Sequence, residues 1–579
     1  MKRRLFIAGA AIGGAAAGVV GMRAMVPGLA NPVQGEQVSV RYALAALGGD
    51  GISAQVRHPG MHLGHLLREK GAAPLVWPSA PARRVDVAII GSGVAGLSCA
   101  WQLNRGGRKD FVVLQGPAPL GNASFGQHAI SAYPHGAHYL PLPSRRNMHV
   151  REMLHDFGVL QEGLHDERPL YDERAIVHAG MDRVLHEGRW HPGLLPELRD
   201  DAKPQWAAVH LEFERWGRVL DEQQRAVFGT PLYVADLQGM AANDTLALDQ
   251  MSFGQWLDQV GVQDATLRWY FDYCCRDEYG APAQAISAWA GVHYFAVEHG
   301  KASNAQDSAV LTWPQGLGFL AGKLQEGLSH QQQMSMAALR VRKLPSGEHE
   351  VLCLDETGAS STIRCNKVVV ATPLFMSRRL VPEMFEDLRE APGPVMSPWM
   401  VANFFMERFP RERAGEGLCW DNVVSGSRSL GYVVATHQAI GQAMPAGTVL
   451  TAYCPLVEEK SGFATAGAGA SAMGAAMSES RRWASGAPAQ ELLAVATRDL
   501  DSAYGADWRR WCQGAELTVH GHAMAVPTMG FLQEPLARRA RESSAAHGGI
   551  VFAHSDLSGY SVFEEASYWG IRAARRLLG

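Results

Sequence analysis

The most specific chemistry in the sequence is carried by six consecutive residues, Gly91-Ser92-Gly93-Val94-Ala95-Gly96. Glycines at the first, third and sixth positions let a backbone turn tightly, approach a pyrophosphate and pack a helix close against a strand. Ahead of them stands VDVAII, apolar apart from Asp86, the pattern of a strand buried on both faces. Behind them Val94, Leu97, Ala100 and Trp101 recur at helical spacing. A helix that starts immediately after the glycines offers free N–H groups and a positive dipole end to phosphates. The unit reads as a dinucleotide-binding strand–turn–helix.

Proton transfer near neutral pH is the business of histidine, and the chain holds 22 of them. His520 and His522, two apart in an expected strand, would share one face. His437 ends the expected strand of GYVVATH, and His135 and His138 lie in YPHGAHY. These histidines and Tyr560 are the candidates for chemistry. Tyr139, Phe563 and Trp569 add aromatic surface that suits a pocket wall or a simple core. The eight cysteines are scattered with no C-x-x-C pair, so neither a metal site nor a disulfide framework is expected. Adjacent Cys274 and Cys275 read as packed thiols. His58, His62 and His65 lack further ligands, so that stretch reads as a solvated helical turn, and no metal is expected.

These residues need elements to position them, and 579 residues are too many for one core. Fifty-three basic against 57 acidic side chains give a net charge of −4, which offers no electrostatic footing for nucleic acid. Two more stretches look like nucleotide domain. One is NKVVVATPL, a buried strand ending in Ala371-Thr372-Pro373, and the other is GGIVFAHSDLSG, a strand followed by Asp556 and a terminal helix. The domain is therefore expected in three pieces with other sequence inserted between them. A return to the sheet at the C-terminus favours FAD over NAD, because nicotinamide dehydrogenases usually complete their Rossmann unit contiguously. The Ala/Gly/Ser-rich stretch 461–490 reads as a loop or loosely packed helix. WLDQVGVQDATLRWYFDYCCRDEYG has the spacing of a buried helix.

The first thirty residues are different in kind. Lys2-Arg3-Arg4 precedes an uncharged run, Leu5 to Met22, rich in alanine and glycine, and Gly28-Leu29-Ala30 is a small-x-small cleavage site. Arg3-Arg4-Leu5-Phe6-Ile7 resembles the twin-arginine export signal. That implies a periplasmic protein, exported folded through the twin-arginine translocase. An uncleaved membrane anchor is the alternative.

Taken together, the glycine loop, VVLQGPAPLGNAS, YPHGAHY, LTWPQGLGFLAGKL, ALRVRKL, VHGHAMAVPTMGF and the terminal strand–Asp–helix resemble the flavin-containing amine oxidase family. Protoporphyrinogen oxidase and phytoene desaturase are its more distant relatives. The resemblance spans most of residues 85–579 and is specific at the two nucleotide-binding ends. It implies an α/β fold, a split Rossmann-type FAD-binding domain with an inserted mixed α/β substrate domain. The expected division is a signal peptide at 1–30, a linker at 31–84, FAD-binding parts at 85–150, 306–380 and 546–579, and substrate-domain parts at 151–305 and 381–545. Non-covalent FAD would be held by residues 91–96, by Gln115 and Ser124, and by Gly136, Ala137, His138 and Tyr139 along the flavin. Val341 would meet the adenine through its backbone, Asp556 the ribityl or pyrophosphate region, and Ala566 would contribute from the terminal helix.

Four departures stand out. Gln115 replaces the ribose-binding Glu, Asn122-Ala123 replace Gly-Arg, Ser555 replaces Gly, and Val562 stands where the family's amine cage has Tyr. The implied function is an exported FAD-dependent oxidoreductase, amine-oxidase-like. It would remove a hydride from a C–N or C–C bond of a small molecule and pass electrons to oxygen or an envelope acceptor. A desaturase-like dehydrogenase of a lipophilic substrate and a flavin-binding accessory protein without turnover are the alternatives.

Overall fold

Three distant stretches of chain meet in one seven-stranded sheet. Its strands run in the order Gln333–Met334, Phe111–Leu114, Arg83–Ile90, Ser360–Val370, His349–Leu354 and Ala337–Lys343, and Ile550–Phe552 pairs with Ser360–Val370. Ser360–Val370 is the hub. Its first half is antiparallel to His349–Leu354, and its last residues run parallel to Arg83–Ile90 on one side and to Ile550–Phe552 on the other. The apolar runs dictate this placement: Val87, Ala88, Ile89, Val112, Val113, Val368 and Val369 are all fully buried. Each such aliphatic side chain larger than alanine contributes about 1.5–3 kcal/mol. The structure, a computed structural model, describes residues 51–579 except 178, 222–223, 233–243, 308, 438–444, 458–469 and 547, together with two-residue strands at Ala8–Gly9 and Val40–Arg41. Apart from Ala8–Gly9, the expected signal segment 1–30 lies outside the described residues.

The helix Val94–Arg105 follows the glycine loop and packs against the terminal helix Phe563–Leu578. Their backbones touch at Gly570, where a Cβ would stand 2.1 Å from the Ala95 carbonyl oxygen. The protein is thus α/β, with a Rossmann-type sheet assembled from separated segments and a second mixed unit inserted between them.

The second unit is built on a nine-stranded sheet centred on the long pair Val395–Met406 and Cys512–Val526. One face is covered by the helix Ala489–Tyr504. The other packs against Lys203–Gly217, Phe253–Val260, Ala265–Tyr279 and Ala288–Ala296. The stretch expected as one buried helix is two, because Gly261 adopts φ +87° and Asp264 caps a new start by accepting from the Leu267 N–H. Residues 470–486 of the Ala/Gly/Ser-rich stretch form a helix against the central strands, while 461–469 lie outside the described residues.

The segment expected as a linker is more than that. Ser53–Arg57 joins the large sheet, parallel to Ala515–Thr518, with Ile52, Ala54 and Val56 buried in alternation. Met61–Ala72 is a full helix, not a solvated turn, because Leu63 and Leu67 bury against the strands Ala337–Lys343 and His349–Leu354. Among the described residues no cluster of His, Cys, Asp or Glu could hold a metal, and no helix is long and apolar enough to cross a membrane.

Candidate functional site

The glycine loop forms an anion cradle. Gly91 sits at φ +111°, where a Cβ would lie 2.4 Å from the Ala371 carbonyl oxygen, and a Cβ on Gly96 would lie 2.0 Å from that of Gly91. These two glycines are required by the protein's own packing. Gly93 is different: a Cβ there would meet no atom within 4 Å, and no side chain caps the helix start behind it. The opening at Gly93 therefore faces uncapped backbone N–H groups. Ser92 Oγ donates to the Gln115 carbonyl at 2.9 Å, fixing the loop to the end of its neighbouring strand. The turn Gly121–Ala123 comes over the loop, with the Cβ position of Gly121 only 3.5 Å from Gly93 Cα. Ser124 ends that turn.

Asp556 lies beside this cradle and is buried. Its Oδ2 accepts from the Leu374 N–H at 2.9 Å, which ties the terminal segment to the start of the helix Leu374–Leu380. Its Oδ1 is 3.1 Å from His554 Nδ1, but that nitrogen already accepts from the Asp556 N–H, so Oδ1 is left without a donor. Burial would raise this carboxyl; His554 when protonated, with the Leu374 N–H, outweighs it and holds it below the usual range. The Gln115 amide is engaged by Gln333 at 3.3 Å and by Ser335 Oγ at 2.8 Å. Val341 is buried and pairs with Val351, and Ala566 is half-buried in the first turn of the terminal helix.

A cavity of about 200 Å³ opens where the two units meet. Its floor is the turn Gly136-Ala137-His138-Tyr139, and Val562, Phe563 and Glu564 at the start of the terminal helix close one end. Tyr453 stacks on His138 at 4.4 Å and donates from its hydroxyl to the Gly136 carbonyl at 3.2 Å. Tyr273, Tyr294, Trp399 and Tyr560 complete an aromatic wall. Four carboxylates line the same space, Asp277, Glu278, Asp421 and Glu564, and among the described residues no Lys or Arg does. Burial, with Asp277 nearby, pushes Asp421 up to about 8. Two buried polar atoms on the wall, the Tyr560 hydroxyl and Trp399 Nε1, have no hydrogen-bond partner. Buried groups of this kind are costly unless something meets them.

Of the six residues singled out for chemistry, the fold brings His138, His520 and Tyr560 to this cavity and leaves His135, His437 and His522 out of its lining. His520 Nε2 donates to the His135 carbonyl at 2.7 Å, and burial holds the imidazole down at about 4. His522 is exposed and stacks on Phe375 at 4.6 Å. The two histidines do not share a face, because the strand bulges between them. Ser397 pairs with Met524 and Trp399 with His520, so the three residues 521–523 on one strand oppose Pro398 alone on the other. His437 is buried elsewhere, bonded to the Leu418 backbone and held by burial at about 4.

Sequence reasoning missed the carboxylates. Positions 277, 421 and 564 show no local spacing, but Asp277-Glu278 end a helix whose C-terminal dipole disfavours anions, which is a readable sign of function. Also missed was a network under the cavity floor. Arg57 donates to Glu516 at 3.0 Å, Tyr133 donates to the same carboxylate at 3.2 Å, and His135 Nε2 lies 2.9 Å from it. Burial would raise Glu516; His135 and Arg57 outweigh it and lower it. Cys275 is buried, and burial pushes its thiol far up, the behaviour of a packed thiol.

A family model described as an NAD(P)-binding Rossmann-like domain matches residues 89–157. Among curated proteins none matches this chain in sequence. Solved structures do match in fold. Putrescine oxidase bound to putrescine superposes with a TM-score of 0.56 at 16% identity, covering 85% of this chain and 99% of that one. Cyclohexylamine oxidase from Brevibacterium oxydans gives 0.58 at 14%, covering 85% and 98%. A fatty acid isomerase from P. acnes that produces CLA gives 0.55 at 15%, covering 85% and 98%. What the chain shares with these proteins, over nearly their whole length, is the two-unit architecture built around a Rossmann-like dinucleotide fold.

Proposed function

We propose that the protein is an FAD-dependent oxidoreductase that removes a hydride from the carbon bonded to the nitrogen of a small amine. The observation that carries this reading is the cavity itself: aromatic faces and four carboxylates, with no Lys or Arg among the described residues, surround a space that ends on the Gly136–Tyr139 turn. Such a lining attracts a cation and repels an anion. It also disfavours a fatty-acid-like substrate, whose carboxylate would meet four acidic side chains and, among the described residues, no Lys or Arg.

The residues present fit FAD. The open position at Gly93, the uncapped helix start and the unpartnered Asp556 Oδ1 are what a pyrophosphate and a neighbouring hydroxyl need. The N–H groups of residues 92–96 would hold the phosphates, Asp556 Oδ1 would accept from a ribityl hydroxyl, and the 136–139 turn would lie along the ring. FAD bound there supplies the hydride acceptor. The chain's own part is to seat the ammonium between the aromatic wall and the carboxylates and to exclude water. His520 has committed its Nε2–H to His135, so it stays neutral at pH 7 and orients more than it stores a proton. Oxygen or an envelope carrier would take the electrons.

Anaerobic addition of primary amines and diamines should bleach the flavin absorbance of the purified protein. Bleaching by lipophilic alkenes instead would replace the amine reading with the desaturase one, and no bleaching by either would leave an accessory flavoprotein. Export rests on Arg3-Arg4. Replacing both with Lys should strand an uncut, flavin-loaded precursor in the cytoplasm, because ammonium groups do not reproduce paired guanidiniums.

A further inference from the structure

A second cavity, of about 480 Å³, lies on the nucleotide unit between the helix Met61–Ala72, the strand Ala337–Lys343, the helix Leu374–Leu380 and the turn Pro382–Leu388. It shares no lining residue with the first. Five arginines face it, Arg68, Arg340, Arg378, Arg379 and Arg389, against a single carboxylate, Glu386. That carboxylate pairs with Arg389, and the adjacent Asp387 is taken by Arg539. Arg378 donates to the neutral Ala391 carbonyl at 2.6 Å. Arg340 Nε is buried with no partner, and neither Arg68 nor Arg379 has an ion-pair partner among the described residues. Four guanidinium charges thus stand around one hollow without a counter-charge. The rest of the wall is apolar, with Leu67, Leu339, Met376, Leu380 and Phe385. Gly64 keeps the mouth clear, since a Cβ there would meet nothing within 4 Å.

The geometry points to this cleft as a binding site for a phosphate ester carrying an apolar body, separate from the dinucleotide loop. Guanidinium forks match phosphate oxygens two at a time. The volume falls in the range of small-molecule sites, roughly 300–1,000 Å³, and is far more than one inorganic ion fills. The apolar half of the wall requires a ligand with more than charge. A soluble nucleotide and a phospholipid share this chemistry, and the helix Met61–Ala72 that completes the cleft belongs to the segment ahead of the first Rossmann strand.

The test uses the full chain as purified, with its flavin. ADP represents the soluble source and is titrated by calorimetry with excess FAD present. Phosphatidylglycerol in phosphatidylcholine vesicles represents the lipid source and is read by co-sedimentation, with pure phosphatidylcholine as the blank. One probe should bind. Arg340→Gln and the double variant Arg68→Gln/Arg379→Gln should each weaken it by at least about tenfold, the loss of a charge-assisted hydrogen bond. Flavin content and melting temperature should stay unchanged. Binding by neither probe overturns the proposal, as does binding that the variants leave intact. Loss of flavin from the variants overturns it too, because the arginines would then serve the cofactor.

Discussion

Gly93→Val separates the space a cofactor needs from the space the fold needs. Gly93 has φ −73° and ψ −179°, extended backbone that valine adopts readily, and its Cβ would meet nothing within 4 Å. Without cofactor the variant should therefore fold with stability within about 0.5 kcal/mol of the parent. With cofactor the side chain occupies the place of the pyrophosphate. Losing two charge-assisted backbone hydrogen bonds costs about 3–6 kcal/mol, or about two to four powers of ten in Kd. Free FAD at 100 times the parent Kd stabilises the parent by about 2.7 kcal/mol and the variant by about 0.4 kcal/mol or less. Thermal melts of both apoproteins with and without FAD, alongside the flavin spectrum as isolated, read these numbers directly. Gly96→Ala is the contrast: its Cβ would lie 2.0 Å from the Gly91 carbonyl oxygen, so the apoprotein itself should lose about 1–3 kcal/mol or more. Gly93→Val protein that keeps a full complement of flavin, or that loses as much apoprotein stability as Gly96→Ala, would refute the reasoning.

Three further outcomes follow from the same geometry. Asp421 at about 8 must shed its proton to pair with a cation, so the inhibition constant of tetramethylammonium should rise about tenfold for each pH unit below 8, and Asp421→Asn should flatten that slope; affinity constant from pH 6 to 9 in the parent counts against the assignment. Tyr560→Phe removes a buried hydroxyl that has no partner, so it should leave the melting temperature equal or raised while KM for an amine increases, and a lower melting temperature would show that the hydroxyl is bonded. Asp249, Asp421 and Glu565 are held by burial at about 7, 8 and 7. The folded chain there keeps protons that the unfolded chain has lost, so stability should fall as pH rises from 6.5 to 8.5. Below 6.5 His149, His437 and His520, at about 4, pull the other way. A melting temperature that climbs between pH 6.5 and 8.5 is the contrary result.

The sheet of the nucleotide unit was legible because its signals are local. Residues 87–90, 368–370 and 550–552 are apolar runs followed by glycine, by Ala-Thr-Pro or by Ala-His, and each becomes a buried strand segment of one sheet. The second cofactor signal, Asp556, has a structural half that sequence did not show, the bond to Leu374. Two kinds of feature stayed hidden. The bulge between Ser397 and Trp399 on one strand and His520 and Met524 on the other is a register event, and period-two counting cannot see it. The acidic cavity gathers Asp277, Asp421 and Glu564 from three separate stretches, and only the fold makes them neighbours. The strand Ser53–Arg57 was visible in principle, since Ile52, Ala54 and Val56 alternate, but the prolines that follow read as linker.

The order of strands in the nucleotide sheet also sets a timetable for synthesis. Ile550–Phe552 pairs with Ser360–Val370, and the terminal helix Phe563–Leu578 covers Val94–Arg105. The ribosome makes the glycine loop early, yet the helix behind it keeps an apolar flank bare until Phe563–Leu578 emerges. Contacts of such long sequence separation slow folding, and a half-made sheet with open edges invites aggregation. A nascent chain should therefore depend on holding chaperones until these segments emerge, and a chain stopped before Ile550 would lack both the strand that pairs with Ser360–Val370 and the helix that covers Val94–Arg105.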